Sequence, residues 1–331
     1  MEDFEPKKLL ILRILSILQD HTDCDHRLKQ VDIIRLLKIE YGLDIERKAV
    51  ARNLDFLSQA GYEIDKDKDG VCLLNKIFVD GELRLLIDSV LSNRNICTGH
   101  TKKLVKKLQS LGTKNFKDYT KYIVNHDDWQ KQPNQNFFLN IEIITEAISN
   151  KKKIMFFYSE YGLDKKLHKE DHKKIVNPYQ LILKNDKYYL ACNFDKYDNL
   201  TFIRVDKMSD IEILEDKIKD IKSIKNYEKG ISLGNIHNRL PYMFDGSIEE
   251  ITFESTNNVT KIIDNVIDWF GYDFRVSQKD NGEYIFKVKA SPKAMKFWLL
   301  QYGKFVKVLS PQSLVDAIKY DISEMQKLYE N

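Results

Sequence analysis

A predicted helix near the start of the chain, ERKAVARNLDFLSQAG, carries side chains that could bind a nucleic acid. Val50, Leu54 and Leu57 form one apolar stripe along it. A rotation of about 100° per residue places four polar side chains on the opposite face, namely Lys48, Arg52, Asp55 and Gln59. Lysine and arginine can hold phosphates or contact guanine edges, and glutamine can address adenine. Three more basic residues belong to this candidate DNA-binding set. They are Arg47, in the first helical turn, and Lys66 and Lys68, in the following charged turn.

Two basic helix faces could each bind nucleic acid or be an ordinary solvated surface. The face opposite the apolar stripe could be an ordinary solvated surface, since exposed charge is the default on proteins. Its place as the third helix before a predicted hairpin favours nucleic acid instead. A second stripe, Lys102, Lys103, Lys106 and Lys107, is spaced i, i+1, i+4, i+5. It could follow a phosphate backbone, or it could be a solubilising face, and the spacing alone favours the solubilising face.

Two predicted strands in the middle of the chain carry a second group of candidate residues. Alternation along 187–192 places Tyr188 and Tyr189 on opposite faces. Along 201–206 it places Phe202, Arg204 and Asp206 on a shared face. An arginine among aromatic rings suits an anion or a stacked base. The alternative is a buried Arg204–Asp206 pair that only stabilises the fold.

No sequence pattern of an enzyme site is present. The motif HKEDH, at 168–172, has two histidines four residues apart, but it falls in a predicted charged loop, 159–173, and lacks the H-E-x-x-H order. Neither a G-x-G-x-x-G nor a G-x-S-x-G motif occurs. The four cysteines, Cys24, Cys72, Cys97 and Cys192, form no C-x-x-C pair, so neither disulfides nor zinc are expected. We therefore predict no catalytic residue, no metal and no cofactor.

Composition and charge indicate a multidomain globular protein. The chain has 331 residues, of which 43% are hydrophobic and 31% charged, enough for two to four modules with cores of their own. No apolar run reaches the roughly 18 to 20 residues of a membrane helix, and MEDFEPKKLL lacks a basic signal-peptide region. These features predict a cytoplasmic protein without a membrane partner. Net charge is only +3, but residues 76–135 hold 11 Lys and Arg against 6 Asp and Glu.

Hydrophobic periodicity predicts how these residues are positioned. Residues 1–75 form three helices and a hairpin, the pattern of a winged helix-turn-helix, with Gly42 ending the second helix, Asp44 capping the third and Gly70 closing the hairpin. Residues 76–138 read as a helical linker and dimerisation region that ends in a polar stretch, 127–136.

The rest of the chain divides into two further predicted domains. Residues 139–225 contain a helix and several short strands, including a hairpin that turns at Asn185–Asp186, and suggest a small barrel. Residues 226–331 have the order βαββαβ plus a helix, which indicates a ferredoxin-like sandwich. The fold class is therefore multidomain α+β.

The segment KIVNPYQLILKNDKYYLACNFDKYDNLTFIRVDKM resembles the WYL domain of bacterial transcription regulators. The Trp-Tyr-Leu element appears as Tyr188-Tyr189-Leu190, the basic-x-Val-x-Pro element as Lys174 to Pro178, and the Arg-x-Asp-basic element as Arg204 to Lys207. The resemblance extends to the third helix, to GELRLLIDSVLSN as an interdomain helix, and to WLLQYGKFVKVLSPQSL as a C-terminal extension. It implies an Sm-like barrel, a ligand-sensing or nucleic-acid-contacting role, and often a dimer.

Three departures from the family pattern bear on function. Tyr188 replaces the first Trp. Lys174 and Lys207 stand where the family more often has arginine, and lysine cannot make planar bidentate phosphate contacts. In the third helix, Ala49, Ala51 and Asn53 stand where the family often has Thr, Tyr and Asp.

Together these observations predict a homodimeric transcription regulator that binds duplex DNA, not an enzyme. Its barrel would bind an anionic effector, such as a nucleotide, single-stranded DNA or RNA. The predicted ligand-binding residues are Tyr158, Lys174, Tyr179, Tyr188, Tyr189, Arg204, Asp206 and Lys207. The alternative function is that of an accessory protein in phage defence, binding single-stranded DNA or RNA through the WYL domain and the basic middle region.

Overall fold

The chain is an α+β protein of two compact units, residues 1–135 and 136–331. This computed structural model describes residues 9–23, 25–114, 116, 136–232, 234, 236, 240, 242–243, 246–255 and 259–330. Cys24 and most of the predicted polar linker, 127–135, lie outside these residues. Among the residues that the structure describes, no helix has the length and apolar composition needed to cross a membrane.

The first unit begins with the three helices and the hairpin predicted from the sequence. They are α1 (Leu10–His21), α2 (Gln30–Tyr41), α3 (Arg47–Gln59), β1 (Ile64–Lys66) and β2 (Val71–Leu73). Their shared core includes Ile14, Leu37 and Leu54, none of which is exposed. Gly42 ends α2 with a left-handed φ of 66°, as predicted.

Asp44 does not cap α3, which corrects the sequence-based prediction. The capping residue is Glu46, whose carbonyl accepts the first backbone bonds of the helix, from Ala49 and Val50 at 3.0 and 3.3 Å. Asp44 instead lies in the preceding segment, where its carboxylate is 3.4 Å from Lys38 Nζ. The helix therefore begins without a side-chain cap.

Gly70 fixes the position of the hairpin against the chain before α2. Its φ of 140° disfavours any side chain, and a Cβ there would lie 2.7 Å from the Leu28 carbonyl. This close approach lets Leu28 and Val71 exchange two backbone hydrogen bonds, of 3.0 and 2.9 Å. The hairpin is thereby held to the body of the three-helix core.

Two more helices complete the described part of the first unit, α4 (Asp80–Ser92) and α5 (Thr98–Ser110). They pack through a small core that includes Leu83, Ile87 and Val105. Thr113, just after α5, donates a hydrogen bond of 3.1 Å to Asp80 at the start of α4.

The second unit opens with one helix and a five-stranded antiparallel sheet. The elements are α6 (Phe137–Ser149), β3 (Lys152–Tyr161), β4 (Leu167–Lys184), β5 (Lys187–Asn193), β6 (Thr201–Arg204) and β7 (Met208–Lys217). The strand order is β6-β5-β4-β3-β7. Asn185 and Asp186 both have positive φ, 48° and 57°, which confirms the predicted two-residue hairpin turn. Asn140 of α6 donates a hydrogen bond of 2.9 Å to the Met208 carbonyl, so α6 is anchored to the sheet.

The predicted charged loop at 159–173 is wrong, because strands β3 and β4 continue through it as a ribbon. Ser159 pairs with Lys169 and Tyr161 with Leu167, which leaves only 162–166 as a turn. Charged side chains are exposed along this ribbon, so the hydrophobic alternation that marks a half-buried strand is missing. The HKEDH motif consequently lies on a strand, with His168 Nε2 2.8 Å from Asp164 Oδ1.

The C-terminal part has the βαββαβ order and the final helix predicted from the sequence. Its elements are β8 (Glu249–Ser255), α7 (Val259–Phe270), β9 (Phe274–Gln278), β10 (Tyr284–Ala290), α8 (Pro292–Gln301), β11 (Val306–Ser310) and α9 (Gln312–Tyr329). The antiparallel sheet has the order β11-β8-β10-β9. Trp298 of α8 is fully buried beside Phe253 and Phe270, at ring distances of 5.5 Å each. Ser291 and Pro292 occupy the predicted cap and first helical positions of α8.

Glu254, on the other face of this sheet, should make the second unit sensitive to acid. Its carboxylate lies 2.7 Å from Lys279 Nζ and 3.1 Å from Lys307 Nζ. Hydrogen bonds from Lys279 and then Lys307 lower the pKa of Glu254 in the folded state. Since the folded pKa is the lower one, this stabilisation is present above the unfolded pKa of about 4.3 and is lost as pH falls through the folded value.

We expect Glu254→Gln to lower Tm at pH 7 by roughly 2–4 °C, corresponding to about 1 kcal/mol. The difference from wild type should shrink as pH falls through the lowered pKa of the wild-type carboxylate. Thermal melts between pH 3 and 7 measure it. Glu250→Gln is the matched control, because Glu250 is exposed and 3.9 Å from Lys287. A Tm difference that stays constant with pH would contradict the assignment.

Candidate nucleic-acid and ligand sites

The outward face of α3 presents three polar side chains that the sequence singled out. Lys48, Arg52 and Gln59 are exposed, and among the described residues none of them makes an ion pair. Arg47 donates a hydrogen bond of 3.0 Å to Gln30 of α2, which holds its guanidinium at the start of the helix. The face therefore offers two cations and an amide to a ligand.

The hairpin contributes less to this surface than its lysines suggest. Lys66 Nζ donates to Asp55 of α3 at 2.5 Å, which ties the hairpin to the helix. Arg27 holds the other side of the hairpin through Asp65 at 2.6 Å and Asp67 at 3.2 Å. Of the two hairpin lysines, only Lys68 stands outside the ion pairs between described residues.

An open groove of about 720 Å³ runs beside α3 and was not predicted from the sequence. Phe56 lines it and is 47% exposed, next to Arg52. Asn53 also lines it, but its amide donates to the Ala49 carbonyl at 2.8 Å and so is turned back to the helix. Phe56 lies off both the buried stripe and the polar face, so helical spacing alone gave no reason to single it out.

In the second unit, two lysines converge on a tyrosine of strand β3. Lys174 Nζ lies 4.7 Å from the centre of the Tyr158 ring, and Lys207 Nζ lies 5.7 Å from it. Lys207 is also 5.5 Å from the ring of Tyr161. Cations at these distances are attracted to aromatic faces. The structure thus brings together Tyr158, Lys174 and Lys207, as predicted, and adds Tyr161.

Arg204 and Asp206 form a bidentate pair beside this cluster. Arg204 Nε donates to Asp206 Oδ1 at 3.0 Å, and Nη2 donates to Oδ2 at 2.6 Å. The prediction that Asp206 lies on this strand is wrong, because β6 ends at Arg204 and residues 205–207 make a 3₁₀ turn. Its carboxylate is fully buried, and Lys187 Nζ lies 3.8 Å from it. This geometry is that of the structural pair which the sequence left open as the alternative.

Tyr189 and Tyr158 both lie near the Arg204 guanidinium. Tyr189 is paired with Arg204 across strands β5 and β6. Burial raises the pKa of Tyr158 to about 12 and also raises the pKa of Tyr189, while the charge of Arg204 opposes both shifts. Both hydroxyls are therefore protonated at neutral pH and can donate hydrogen bonds. Hydrogen bonding to Asp206 raises the pKa of Arg204, so the guanidinium stays charged.

Tyr188 and Tyr179 do not join the cluster, contrary to the predicted set of ligand-binding residues. Strand alternation turns Tyr188 to the other sheet face, where its ring packs edge-on against Phe137 of α6 at 5.7 Å. Tyr179 lies at a break in the β4–β5 register, and its hydroxyl donates to the Lys219 carbonyl at 3.0 Å. Both tyrosines hold neighbouring elements in place.

The sequence analysis did not select three neighbours of the cluster, namely Tyr161, Glu170 and Lys187. Glu170 Oε2 lies 2.9 Å from Lys174 Nζ and partly neutralises it. Tyr161 and Glu170 lie in the segment predicted to be a loop, so no strand alternation marked them. The cluster has two lysines and phenol donors, and the charge of Glu170 offsets only one of the lysines, a combination that suits a planar anion.

Comparisons with known proteins match two parts of the chain. Residues 140–213 match the WYL domain, and residues 260–326 match the WCX domain. The chain is 25% identical over 232 residues to the uncharacterized HTH-type transcriptional regulator YobV of Bacillus subtilis (strain 168), covering 69% of this chain and 67% of the relative.

Two solved structures are also similar. The proteasome accessory factor B/C of Arthrobacter aurescens matches at 14% identity and a TM-score of 0.27, over 100% of this chain and 51% of that one, so the chain spans about half its length. A CRISPR Cas-related protein matches at 16% identity and a TM-score of 0.38, over 91% of this chain and 78% of the other.

Proposed function

Because the chain belongs to the WYL-domain bacterial transcription regulators, we propose that its first unit binds duplex DNA and its second unit adjusts that binding to an anionic ligand. The proposal makes the chain a regulator in the cytoplasm and assigns it no catalysis. It treats the three helices and hairpin as a winged helix-turn-helix, and α6 with the five-stranded sheet as an Sm-like WYL domain.

The observation that carries DNA binding is the outward face of α3. Lys48, Arg52 and Gln59 are exposed on the third helix before a hairpin, which is where winged helices contact the major groove. The ion pair between Asp55 and Lys66 supports this role, because it fixes the helix relative to the hairpin. Two copies of the chain would present two such helices to a palindromic site, so we also propose a homodimer.

The observation that carries ligand binding is the placement of Lys174 and Lys207 over tyrosine rings. The two ammonium groups lie 4.7 and 5.7 Å from the centre of the Tyr158 ring, whereas Arg204 is already engaged by Asp206 through two hydrogen bonds. We therefore assign the ligand contacts to the lysines and tyrosines, and give Arg204 and Asp206 a supporting role. A nucleotide or a short single strand has the planar bases and the phosphates that this cluster would bind.

Binding measurements with duplex DNA, single-stranded DNA and single-stranded RNA test the main proposal. Genomic fragments retained by the protein should yield a duplex sequence bound more tightly than either single strand at the same salt concentration. Light scattering on the same samples tests the homodimer. Tighter binding of single strands than of any duplex would favour the second candidate, the accessory protein of a phage-defence system. The excess positive charge of residues 76–135 supports that candidate.

Lys174→Ala plus Lys207→Ala should weaken ligand binding in the second unit by at least about tenfold, because two cation contacts are lost. The probes are ATP and a short oligothymidylate, titrated against wild type and variant. Lys165→Ala plus Lys166→Ala is the matched control, since both lysines lie in the exposed turn between β3 and β4. Equal affinities for all three proteins would place ligand binding elsewhere.

A further inference from the structure

Helix α5 presents one uninterrupted basic surface. Lys102, Lys103, Lys106 and Lys107 are all exposed, and the helix contains no acidic residue. The opposite side is used for packing, because Val105 is buried in the core shared with α4. The exposed positions of α5 that are not lysine are a glycine and a serine, Gly99 and Ser110.

Three of these four lysines are not paired with any carboxylate of the described residues. Among the described residues, Lys103, Lys106 and Lys107 take part in no ion pair, whereas lysines elsewhere commonly do, as Lys279 does with Glu254. Like charges four residues apart destabilise a helix, and α5 has two such pairs, 102 with 106 and 103 with 107. A bound polyanion would attract all of these lysines and so offset the repulsion between them.

The segment after α5 is attached to α1 and α2, which share a core with α3. Lys114 forms an ion pair with Glu40 near the end of α2, and His21 Nε2 of α1 lies 3.0 Å from the same carboxylate. Residues 110–112 line a cavity of about 380 Å³ together with residues of α1 and of the segment after the hairpin. The lysine stripe and α3 therefore belong to one compact unit and would act in the same binding event.

We propose that the α5 stripe binds the phosphate backbone of duplex DNA as a second, sequence-independent contact, which rests on the DNA binding proposed above. At a rise of about 1.5 Å per residue, Lys102 and Lys106 lie about 6 Å apart along the helix. Over that length a duplex presents several phosphates, at about one per 1.7 Å of its axis.

The exposed side chains of α5 favour a duplex over other polyanions. Binding of single strands relies on aromatic side chains that stack on bases, and none is exposed on α5. A helix that lies on a membrane needs an apolar face for the lipid, but the apolar face of α5 is packed against α4. Lysine, a compact point charge, suits backbone contacts without sequence recognition.

The test is the salt dependence of duplex binding by the full chain, comparing wild type with a variant in which all four α5 lysines are glutamine. A random duplex of about 40 base pairs and a duplex retained from genomic fragments are both used. Each lost phosphate contact should lower the slope of log K against log salt by about 0.9, so we expect a decrease of about 2 to 3.6. At 0.1 M salt, the affinity should fall by about 100-fold or more, equally for both duplexes.

A charge-matched control carries four glutamines on exposed positions of the second unit, Lys222, Lys225, Lys229 and Lys293. It should keep the wild-type slope. If the α5 variant fails to fold by circular dichroism, Lys103→Gln plus Lys107→Gln replaces it, with an expected slope decrease of about 1.8.

Three results overturn the inference. One is a wild-type slope in the folded α5 variant, and another is an equal loss in the control. The third is a loss confined to single-stranded DNA or RNA of the same length. Failure of the wild-type protein to bind either duplex would instead contradict the proposed function itself, so the two failures are distinguishable.

Discussion

Replacing Lys48 and Arg52 together with alanine should weaken binding to the cognate duplex by about 30- to 25,000-fold while leaving the first unit folded. Both side chains are exposed on the outward face of α3, and neither takes part in an ion pair between described residues. Loss of one base or phosphate contact costs roughly 1 to 3 kcal/mol, so two contacts account for that range. The core residues Val50, Leu54 and Leu57 are untouched, so thermal melts should match wild type.

The matched control is Lys222→Ala plus Lys225→Ala, which removes the same charge from exposed positions of the second unit. Affinity is measured on the cognate duplex and on a random one. If α3 reads bases, the preference for the cognate duplex should fall as well, unlike the effect expected for the α5 stripe. Unchanged affinity in the α3 variant would remove this helix from the mechanism.

Asp206→Ala should destabilise the second unit by about 2–4 kcal/mol. The substitution leaves the Arg204 guanidinium, which is 28% exposed, without its two hydrogen bonds, and leaves Lys187 facing an apolar methyl group. Breaking a buried pair costs roughly 3–5 kcal/mol, and the partial exposure of Arg204 reduces that cost. For a unit of this size, the expected fall in Tm is about 4–16 °C.

Glu215→Ala serves as the comparison, because Glu215 pairs with Lys152 at the surface and such pairs contribute less than about 1 kcal/mol. Thermal melts of both variants decide the point. Replacing Arg204 and Asp206 together by Met and Leu should recover part of the loss, since the guanidinium is no longer left without its carboxylate. Equal stability of the two single variants would show that the Arg204–Asp206 pair is not structural.

Local sequence was sufficient wherever a signal depends on a few neighbouring residues. Apolar spacing predicted the three N-terminal helices, glycine marked the end of α2, and Asn185–Asp186 marked a tight turn. The βαββαβ order of the C-terminal part followed from the same periodicities. The ordered WYL elements, from Lys174 to Lys207, were sufficient to identify the domain that the family comparison matches.

The membership of the ligand cluster depended on tertiary structure, because strand pairing joins residues that are far apart in sequence. Tyr158 meets Lys207 only because β3 pairs with β7, and Tyr161 joins them only because β3 extends through a segment without apolar alternation. The 3₁₀ turn after β6 likewise brings the Asp206 carboxylate back to Arg204, whereas strand alternation would have placed it along the sheet. Periodicity predicts which side of an element is buried, but not which other element covers that side. The sequence was therefore sufficient to predict the types of residue in the cluster, whereas the tertiary fold determines which of them are in contact.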